Sequence, residues 1–500
     1  MLLQNEPGRP ARLHVFVLLL AALGLLLRLY CYFCDPSIWF DEAALMLNVL
    51  DKSYSGLLGP LEYAANGPPL FLWLEKSLVG WLGDSSWTWR LPALAASCLS
   101  LILFVPVAWR VSAPEGAVWA VGLFAFSQRV LWHTVEVRPY TIDVLVAVGV
   151  MAAWLYTASW GPVKRLLLAA VLCPLLMCLS YPAVFVCSAL ALVLLLEIRN
   201  SRRAAVWLSY GVYLAGQALT LFWLLRGPVR FQNEGMRASG FEDAWIRQMP
   251  DWSTPAGAAR WPFMALFEAL RYDLHPTGGL LLICAVFGAG WVIRSRGRRL
   301  ALLVFGPLAA VMAAACLHRY PCGQGRPILF LTPAACLAIG AAVPVLLRWC
   351  WDGFARSGQL LVWATPRNWG GRTAGVILAS LALSPMLACL YCIAVPQPRP
   401  DGRGAAAYIL SHRRCDDWVA IDSWDQLYFY RRFDPCWLCP TQRLLKGEEA
   451  QSRCWLTINT MMSNYEADEQ ALTGRQSWDI CERKQFGPLI VLLLERRKTP

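Results

Sequence analysis

The chain has 500 residues, of which 57% are hydrophobic and only 16% charged, and its mean hydropathy is +0.44. These values exclude an ordinary soluble globular protein, which has a smaller apolar share and a larger charged share. The formal net charge of +12 does not indicate nucleic-acid binding, because the excess Arg and Lys of a membrane protein gathers in short cytoplasmic loops.

The apolar residues form blocks of about 15–22 residues, the length that crosses a bilayer. We therefore predict an α-helical polytopic membrane protein with about eleven transmembrane helices. The predicted spans are residues 13–30, 91–110, 115–132, 141–158, 166–180, 182–197, 204–225, 278–294, 300–317, 328–348 and 374–395.

Basic residues gather at alternate ends of these spans, which predicts the orientation of the chain. With the N-terminus in the cytoplasm, five basic clusters all fall on the cytoplasmic side. The clusters lie within residues 9–12, 164–165, 199–203, 294–299 and 348–372. This arrangement predicts a multi-pass protein of the inner or plasma membrane, with its C-terminus outside the cytoplasm.

The chain divides into a predicted membrane domain, residues 1–395, and a tail, residues 396–500. Within the membrane domain, residues 31–90 form the first outer loop and residues 226–277 a long outer loop. Pro68–Leu82 is apolar but short, and counting it as a span would invert every later basic cluster, so we expect a helix lying in the membrane interface.

The tail alternates helix-like stretches with strand-like ones, which predicts a small extracytoplasmic α/β domain. The strand-like stretches are Trp418–Ile421, Trp455–Asn459 and Leu489–Leu494, and the helix-like ones are Gly404–Arg413 and Trp424–Arg432.

Two adjacent carboxylates, Asp41 and Glu42, follow the aromatic residues Trp39 and Phe40 just outside the first span. Partial burial beside aromatic rings raises the pKa of a carboxyl group toward neutrality, which suits proton abstraction. A purely structural role is the alternative: Asp41 would cap a helix and Glu42 would occupy its first turn.

Two further outer segments combine basic and aromatic residues. Residues 133–140 contain His133, Arg138 and Tyr140, and residues 318–327 contain Arg319, Tyr320 and Arg326. Arginine offers a fixed fork of donors to a phosphate, so both segments are candidate anion-binding sites. The alternative is contact with lipid headgroups, by snorkelling of the arginines and anchoring by the tyrosines.

Several of these segments together resemble motifs of one family, the GT-C superfamily of membrane glycosyltransferases. Residues 39–43 resemble its first-loop acidic motif, in the branch of protein O-mannosyltransferases and lipid A aminoarabinose transferases (family 39/83-like). The similarity continues along the chain to about residue 350 and does not include the tail. It is carried by Asn66–Phe71 (a PPL segment), Gly83–Ser86 with Arg90–Pro92, Glu136–Tyr140 (E-x-R-x-Y), Leu179–Tyr181 and Arg326–Phe330. The chain departs from the family pattern at Trp87, which stands near a position where the family commonly has an acidic residue.

The resemblance implies the GT-C fold and an inverting transfer of a sugar from a polyprenyl-phosphate donor to an acceptor hydroxyl on the outer face of the membrane. Asp41 matches the family base, and Glu42 would orient it, bind the acceptor or join a metal site. The phosphate-binding residues would be Arg138 first, with His133, Arg319, Arg326, Tyr140 and Tyr320 as helpers.

Cofactors and partners follow from the same resemblance. No metal site is assigned, although a divalent metal is possible. The expected partners are the lipid-linked sugar, membrane lipid and an acceptor that is a glycolipid, a polysaccharide or a protein, and no nucleic acid. Two alternatives stay open: a non-catalytic membrane scaffold of the same fold, and an enzyme like oligosaccharyltransferase that moves a whole glycan.

Overall fold

The computed structural model describes residues 9–238, 246–323, 325–352, 369–396, 399–421, 424–431, 433, 438–440, 452–461 and 478–497. The chain forms two compact units. The first combines Met1–Cys34 with Gly67–Val395, and the second combines Asp35–Asn66 with Pro396–Pro500. Residues 35–66, which we expected to belong to the membrane domain as part of its first outer loop, therefore group with the tail.

The first unit is helical throughout its described residues. Its helices are α1 (Arg9–Phe33), α3 (Pro69–Leu82), α4 (Ser86–Val111), α5 (Pro114–Ala125), α6 (Gln128–His133), α7 (Tyr140–Tyr156), α8 (Pro162–Leu179), α9 (Ala183–Ile198), α10 (Ala204–Arg226), α11 (Pro228–Ala238), α12 (Pro255–Asp273), α13 (Leu282–Arg296), α14 (Arg298–Cys316), α15 (Thr332–Asp352) and α16 (Trp369–Ala394).

Within the described residues, eight helices are long and apolar enough to cross a membrane, and α7 and α9 are shorter apolar helices. The prediction of a helical multi-pass membrane protein is confirmed. One predicted span, residues 115–132, is not a single helix. It divides into α5 and α6 because Ser127 starts a new helix, its side chain accepting a hydrogen bond from the Val130 N–H.

The outer segments contain the helices expected of them where the structure describes them. Within Pro68–Leu82, the residues Pro69–Leu82 form α3, which begins with proline at its first position, where the missing N–H costs no hydrogen bond. The long outer loop contains α11 and α12, and its residues 239–245 lie outside the described part. The position of α3 at a membrane interface stays a prediction.

The second unit contains a five-stranded sheet in the order β2-β1-β3-β5-β4. β1 pairs in parallel with β2 and β3, and β5 pairs antiparallel with β3 and β4. Its elements are α2 (Phe40–Asp51), α17 (Gly402–His412), β1 (Trp418–Ile421), α18 (Trp424–Tyr430), β2 (Leu438–Pro440), β3 (Arg453–Asn459), β4 (Trp478–Phe486) and β5 (Leu489–Arg496). The predicted small α/β domain is confirmed.

Alternating residues of the central strands point to opposite faces of this sheet, and both faces are buried. On one face Leu456 and Leu492 join an apolar cluster with Trp478. On the other face Trp455 and Val491 join a cluster that includes residues of α17 and α18. This double burial explains why β5 begins as the continuous apolar run Leu489–Leu494.

Candidate active site

The acidic pair lies at the start of α2 in the second unit. Trp39 precedes the helix, and its backbone N–H donates to Oε2 of Glu42 over 2.8 Å. Glu42 is only 1% exposed, and Nη1 of Arg399 lies 3.7 Å from the same carboxylate oxygen. Asp41 is half-buried. The described contacts of Glu42 thus hold the first turn of α2 in place and leave Asp41 as the more accessible acid.

Arg399 also joins this acidic segment to the tail within the second unit. Its Nη1 donates to the backbone oxygen of Ser37 over 3.4 Å. Four residues further along, in α17, Nη1 of Arg403 contacts Oδ2 of Asp35 at 3.1 Å. The tail, for which the sequence offered no family match, therefore holds Asp35 and Ser37 in the segment that precedes Asp41.

The predicted phosphate-binding segment 133–140 follows the helix break in the first unit. His133 ends α6 and is 1% exposed, and Glu136 is 2% exposed. Nδ1 of His133 lies 2.7 Å from Oε2 of Glu136, and Nε2 lies 2.9 Å from the hydroxyl of Tyr272 on α12. Both ring nitrogens of His133 are thus engaged by protein groups.

The hydrogen bonds define the tautomer of this histidine. A carboxylate only accepts hydrogen bonds, so Nδ1 of His133 donates to Glu136. Burial lowers the pKa of His133, although the nearby Glu136 opposes this shift, and the neutral ring is favoured. In a neutral imidazole with a proton on Nδ1, Nε2 is an acceptor. The Tyr272 hydroxyl therefore donates to His133.

Arg129, on the same turn of α6, lies against this assembly. Its guanidinium carbon is 4.6 Å from the centre of the Tyr272 ring, a cation–π distance. Arg326, at the start of a 3₁₀ turn (Arg326–Leu331), is close enough for its positive charge to act on both His133 and Tyr272. The structure thus brings residues 129–140, 272 and 326 together.

The remaining predicted residues differ in their surroundings. The Tyr140 ring lies 5.0 Å from the His133 ring. Tyr320 donates from its hydroxyl to the backbone oxygen of Pro327 over 2.8 Å and holds its own loop closed. Arg138 is buried. Arg319 is exposed, and no contact within the described residues joins its side chain to this group.

Three residues of this group were missing from the predicted site: Arg129, Glu136 and Tyr272. Glu136 was within the E-x-R-x-Y segment but carried no assigned role. Arg129 falls inside the predicted span 115–132, and the helix break places it in α6, beside His133, instead. Tyr272 had no signal in the sequence, because nothing in the long outer loop marks which residue meets His133.

An apolar cavity of about 270 Å³ lies beside α8, between α7 and α9. Its lining follows α8 from Arg165 to Leu179, a rise of about 21 Å. Arg165, one of the lining residues, pairs through Nη1 with Oε2 of Glu197 at 2.7 Å. The rest of the lining is almost entirely apolar, which suits a linear hydrocarbon chain.

Among the described residues, no group of three or more His, Cys, Asp or Glu side chains is arranged to hold a metal ion.

Comparison with solved structures identifies the fold. ArnT from Cupriavidus metallidurans, bound to undecaprenyl phosphate, matches with a TM-score of 0.53 at 15% identity, over 95% of this chain and 97% of that chain. AglB, the oligosaccharyltransferase of Archaeoglobus fulgidus in complex with an inhibitory peptide and a dolichol-phosphate, matches with a TM-score of 0.50 at 11% identity, over 92% of this chain and 71% of that chain. The chain has the GT-C fold. No family model matches the sequence, and no curated protein matches it.

The GT-C assignment confirms the fold that residues 39–43, 66–71 and 136–140 predicted by resemblance. At 11–15% identity the likeness concerns the fold alone.

Proposed function

We propose that this GT-C protein transfers a sugar from a polyprenyl-phosphate donor to an acceptor hydroxyl at the outer face of the membrane. The observation that carries the proposal is the group around Arg129 and Arg326, where cationic side chains and buried hydrogen-bonding groups meet within a helical membrane unit. ArnT, which shares the fold, was solved bound to undecaprenyl phosphate.

The proposed chemistry is a single displacement at the anomeric carbon of the donor sugar. Asp41 takes the proton of the acceptor hydroxyl as the acceptor oxygen bonds to the anomeric carbon from the side opposite the phosphate. The bond between that carbon and the phosphate oxygen breaks, which inverts the anomeric centre. The arginines of the first unit stabilise the charge that develops on the departing phosphate, a contribution of about 3–4 kcal/mol for a well-placed donor.

Glu42 supports this reaction indirectly. Its contacts with the Trp39 N–H and with Arg399 fix the first turn of α2, on which Asp41 lies. Under this proposal Glu42 is a positioning residue. A hydroxyl of a glycolipid, a polysaccharide or a protein would be the acceptor.

The cavity along α8 supports a lipid-linked donor. Its lining is apolar and extends along about 21 Å of α8, which suits a hydrocarbon chain. We propose that part of the polyprenyl chain occupies it.

The test uses the purified full-length chain in nanodiscs with undecaprenyl-phosphate sugars and a panel of acceptors, and measures labelled product and free undecaprenyl phosphate. Wild-type protein should release one undecaprenyl phosphate for each sugar transferred. Asp41→Asn should remove activity by several orders of magnitude, because the amide cannot accept a proton, while it keeps the melting temperature. Full turnover by Asp41→Asn would contradict the assignment of the base.

A second candidate is the transfer of a whole oligosaccharide, which the fold similarity to AglB favours. The same assay distinguishes the two functions when donors that carry one sugar are compared with donors that carry an oligosaccharide. Preferred turnover of the single-sugar donor supports the first proposal. Exclusive turnover of the oligosaccharide donor would replace it with the second.

A further inference from the structure

Two cysteine thiols and one tyrosine hydroxyl meet in the interior of the first unit, where α8, α9 and α10 lie together. Cys173 on α8 is 2% exposed, and Cys187 on α9 and Tyr213 on α10 are fully buried. Sγ of Cys173 donates to the Tyr213 hydroxyl over 3.8 Å, and that hydroxyl donates to the backbone oxygen of Cys187 over 3.0 Å. The two thiols are also within hydrogen-bonding reach of each other. These three side chains form one contact group, which the proposed sugar transfer does not use.

The position of Cys187 is fixed from α10. Tyr210, one turn before Tyr213, donates from its hydroxyl over 3.1 Å to the backbone oxygen of Ala191, one turn after Cys187. The two tyrosines thus fasten α10 to the backbone of α9 at successive turns. A buried carbonyl that loses its donor is costly, so both hydrogen bonds keep Cys187 in place.

Cys173, in contrast, lies where α8 can bend. Pro174 follows it directly and has no N–H, so the helical hydrogen bond from residue 174 to the oxygen of Ala170 is missing. A Cβ added at Gly216 of α10 would lie 3.5 Å from Cγ of Pro174 and 3.6 Å from this oxygen, so the interruption faces α10. Helices bend at proline, and a disulfide requires its two sulfur atoms to approach to about 2 Å. The bend gives Cys173 the freedom to make that approach.

Cys173 also lines the apolar cavity beside α8, about midway along the lined part of the helix. A buried thiol reacts slowly with oxidants dissolved in water, because apolar surroundings disfavour the thiolate. A lipophilic oxidant leaves water for an apolar cavity and meets the thiol there. The cavity therefore selects the class of oxidant that reaches the pair.

We propose that Cys173 and Cys187 are an oxidative modification site, at which a lipid-borne hydroperoxide in the cavity converts the two thiols into a disulfide that links α8 to α9. Sγ of Cys173 attacks the terminal peroxide oxygen. The S–O bond forms, the O–O bond breaks, and the lipid leaves as an alcohol that takes up the thiol proton.

The second step closes the disulfide. Sγ of Cys187 attacks the sulfenic sulfur of Cys173, the S–S bond forms, and the hydroxyl group leaves with the Cys187 proton as water. The two sulfur atoms together lose the two electrons that reduce the peroxide. No step depends on sugar transfer, although a polyprenyl chain in the same cavity would shield Cys173.

The test treats the full-length chain in nanodiscs of saturated phosphatidylcholine with cumene hydroperoxide. Mass spectrometry, after alkylation of the remaining thiols, follows the peptides linked through residues 173 and 187. The linked pair should accumulate with time and disappear on reduction. Cys178, also on α8, is the internal comparison, because it is more exposed than Cys173 but is not one of the residues that line the cavity. Absence of the linked pair, or faster oxidation of Cys178, would overturn the proposal.

Two cysteine variants test the order of the steps. Cys187→Ala should prevent the linked pair and leave Cys173 as a sulfenic acid that dimedone traps. Cys173→Ala should give neither the linked pair nor a dimedone adduct at Cys187. An adduct at Cys187 in that variant would contradict entry of the oxidant through the cavity. Melting temperatures establish that both variants are folded.

A matched pair of glycine variants tests the role of the cavity itself. Gly149 on α7 lines the cavity, and a Cβ added there would meet no atom within 4 Å, so Gly149→Leu has room to fill the cavity. Gly290 on α13 is equally open but does not line the cavity. Gly149→Leu should slow formation of the linked pair several-fold, and Gly290→Leu should keep the wild-type rate. Equal rates in the two variants would overturn the assignment of the cavity.

Hydrogen peroxide distinguishes the source of the oxidant. At the same concentration it should form the linked pair more slowly than cumene hydroperoxide, because it does not partition into an apolar cavity. An equal or faster rate with hydrogen peroxide would exclude a lipid-borne hydroperoxide as the specific oxidant.

Discussion

Arg28, in the first transmembrane helix, donates a hydrogen bond from Nη1 to the backbone oxygen of Ala125 over 3.1 Å, at the residue where α5 ends. Its Nε donates to Oγ of Ser97 over 2.9 Å, and Oγ1 of Thr134 donates to the same Ser97 oxygen over 2.8 Å. Arg28 is fully buried. Arg28 thus donates to a backbone oxygen at the end of α5, where the helix break interrupts the helical hydrogen bonds. Through Ser97, Arg28 is also linked to Thr134, just after α6.

This relationship predicts that Arg28→Met destabilises the first unit. The Ala125 oxygen and the Ser97 hydroxyl would each lose a buried donor, at a cost of about 1–3 kcal/mol per group. The measurement is the melting temperature of the purified chain in nanodiscs, with Arg110→Met as control, because Arg110 lies exposed in the last turn of α4. Equal melting temperatures for the two variants would show that the break does not depend on Arg28.

Glu42 and Arg399 should be energetically coupled. Glu42→Gln and Arg399→Met each break the buried pair at the start of α2, and each should lower the stability of the second unit by about 1–3 kcal/mol. The double variant should lose less than the sum of the two single losses, because the interaction is removed only once. Additive losses in this double-mutant cycle would argue against the contact.

The matched comparison for this cycle is Asp35 with Arg403, whose side chains also pair in the second unit, at 3.1 Å. The Arg403 side chain is 61% exposed, so solvent screens this pair, and its coupling should be under about 1 kcal/mol. Activity should follow stability for Glu42→Gln but not for Asp41→Asn, since only Asp41 is proposed to accept the proton.

Asp273→Asn should stabilise the protein at neutral pH. Burial raises the pKa of Asp273 in the folded state, so above the ordinary carboxyl pKa the folded chain holds a proton that the unfolded chain releases. Stability contributed by this group therefore falls as pH rises from about 4 upward, until the folded carboxyl also ionises. The amide has no proton to lose, so the advantage of the variant should grow across that range.

The amide keeps the size and shape of the buried side chain. Thr332 favours the charged form of Asp273, but burial outweighs this effect on the pKa of Asp273. Melting temperatures between pH 4 and pH 8 test this, with Asp251→Asn as an exposed comparison in the same outer segment. A variant that is less stable than wild type at pH 7 would show that the folded carboxyl is charged.

The orientation of the chain is a separate prediction. A phosphatase fused after Val395, at the end of the first unit, should be active only if the tail lies outside the cytoplasm. The basic clusters at residues 164–165 and 199–203 predict that it is active there and that a fusion after Arg202 is inactive. The opposite pattern would reverse the topology.

The sequence by itself determined the class of protein, because apolar blocks of spanning length and their basic flanks follow directly from the energetics of the bilayer. It also indicated the strands of the tail, since β1, β3 and β5 are short runs of apolar residues bounded by polar ones. The acidic pair Asp41 and Glu42 and the arginines Arg138 and Arg326 could be selected as candidate site residues, because the motifs that contain them are continuous in the sequence.

Only the tertiary structure decided how these residues meet. Tyr272 reaches His133 from an outer helix 139 positions away, and Arg399 reaches Glu42 from the tail. No local pattern encodes such contacts, because side-chain pairing depends on how helices and loops pack after the chain has folded. The break between α5 and α6 belongs here too. The sequence reads as one apolar span, but Arg28 donates to the end of α5 and the Ser127 hydroxyl accepts from the first turn of α6, so that two helices form instead.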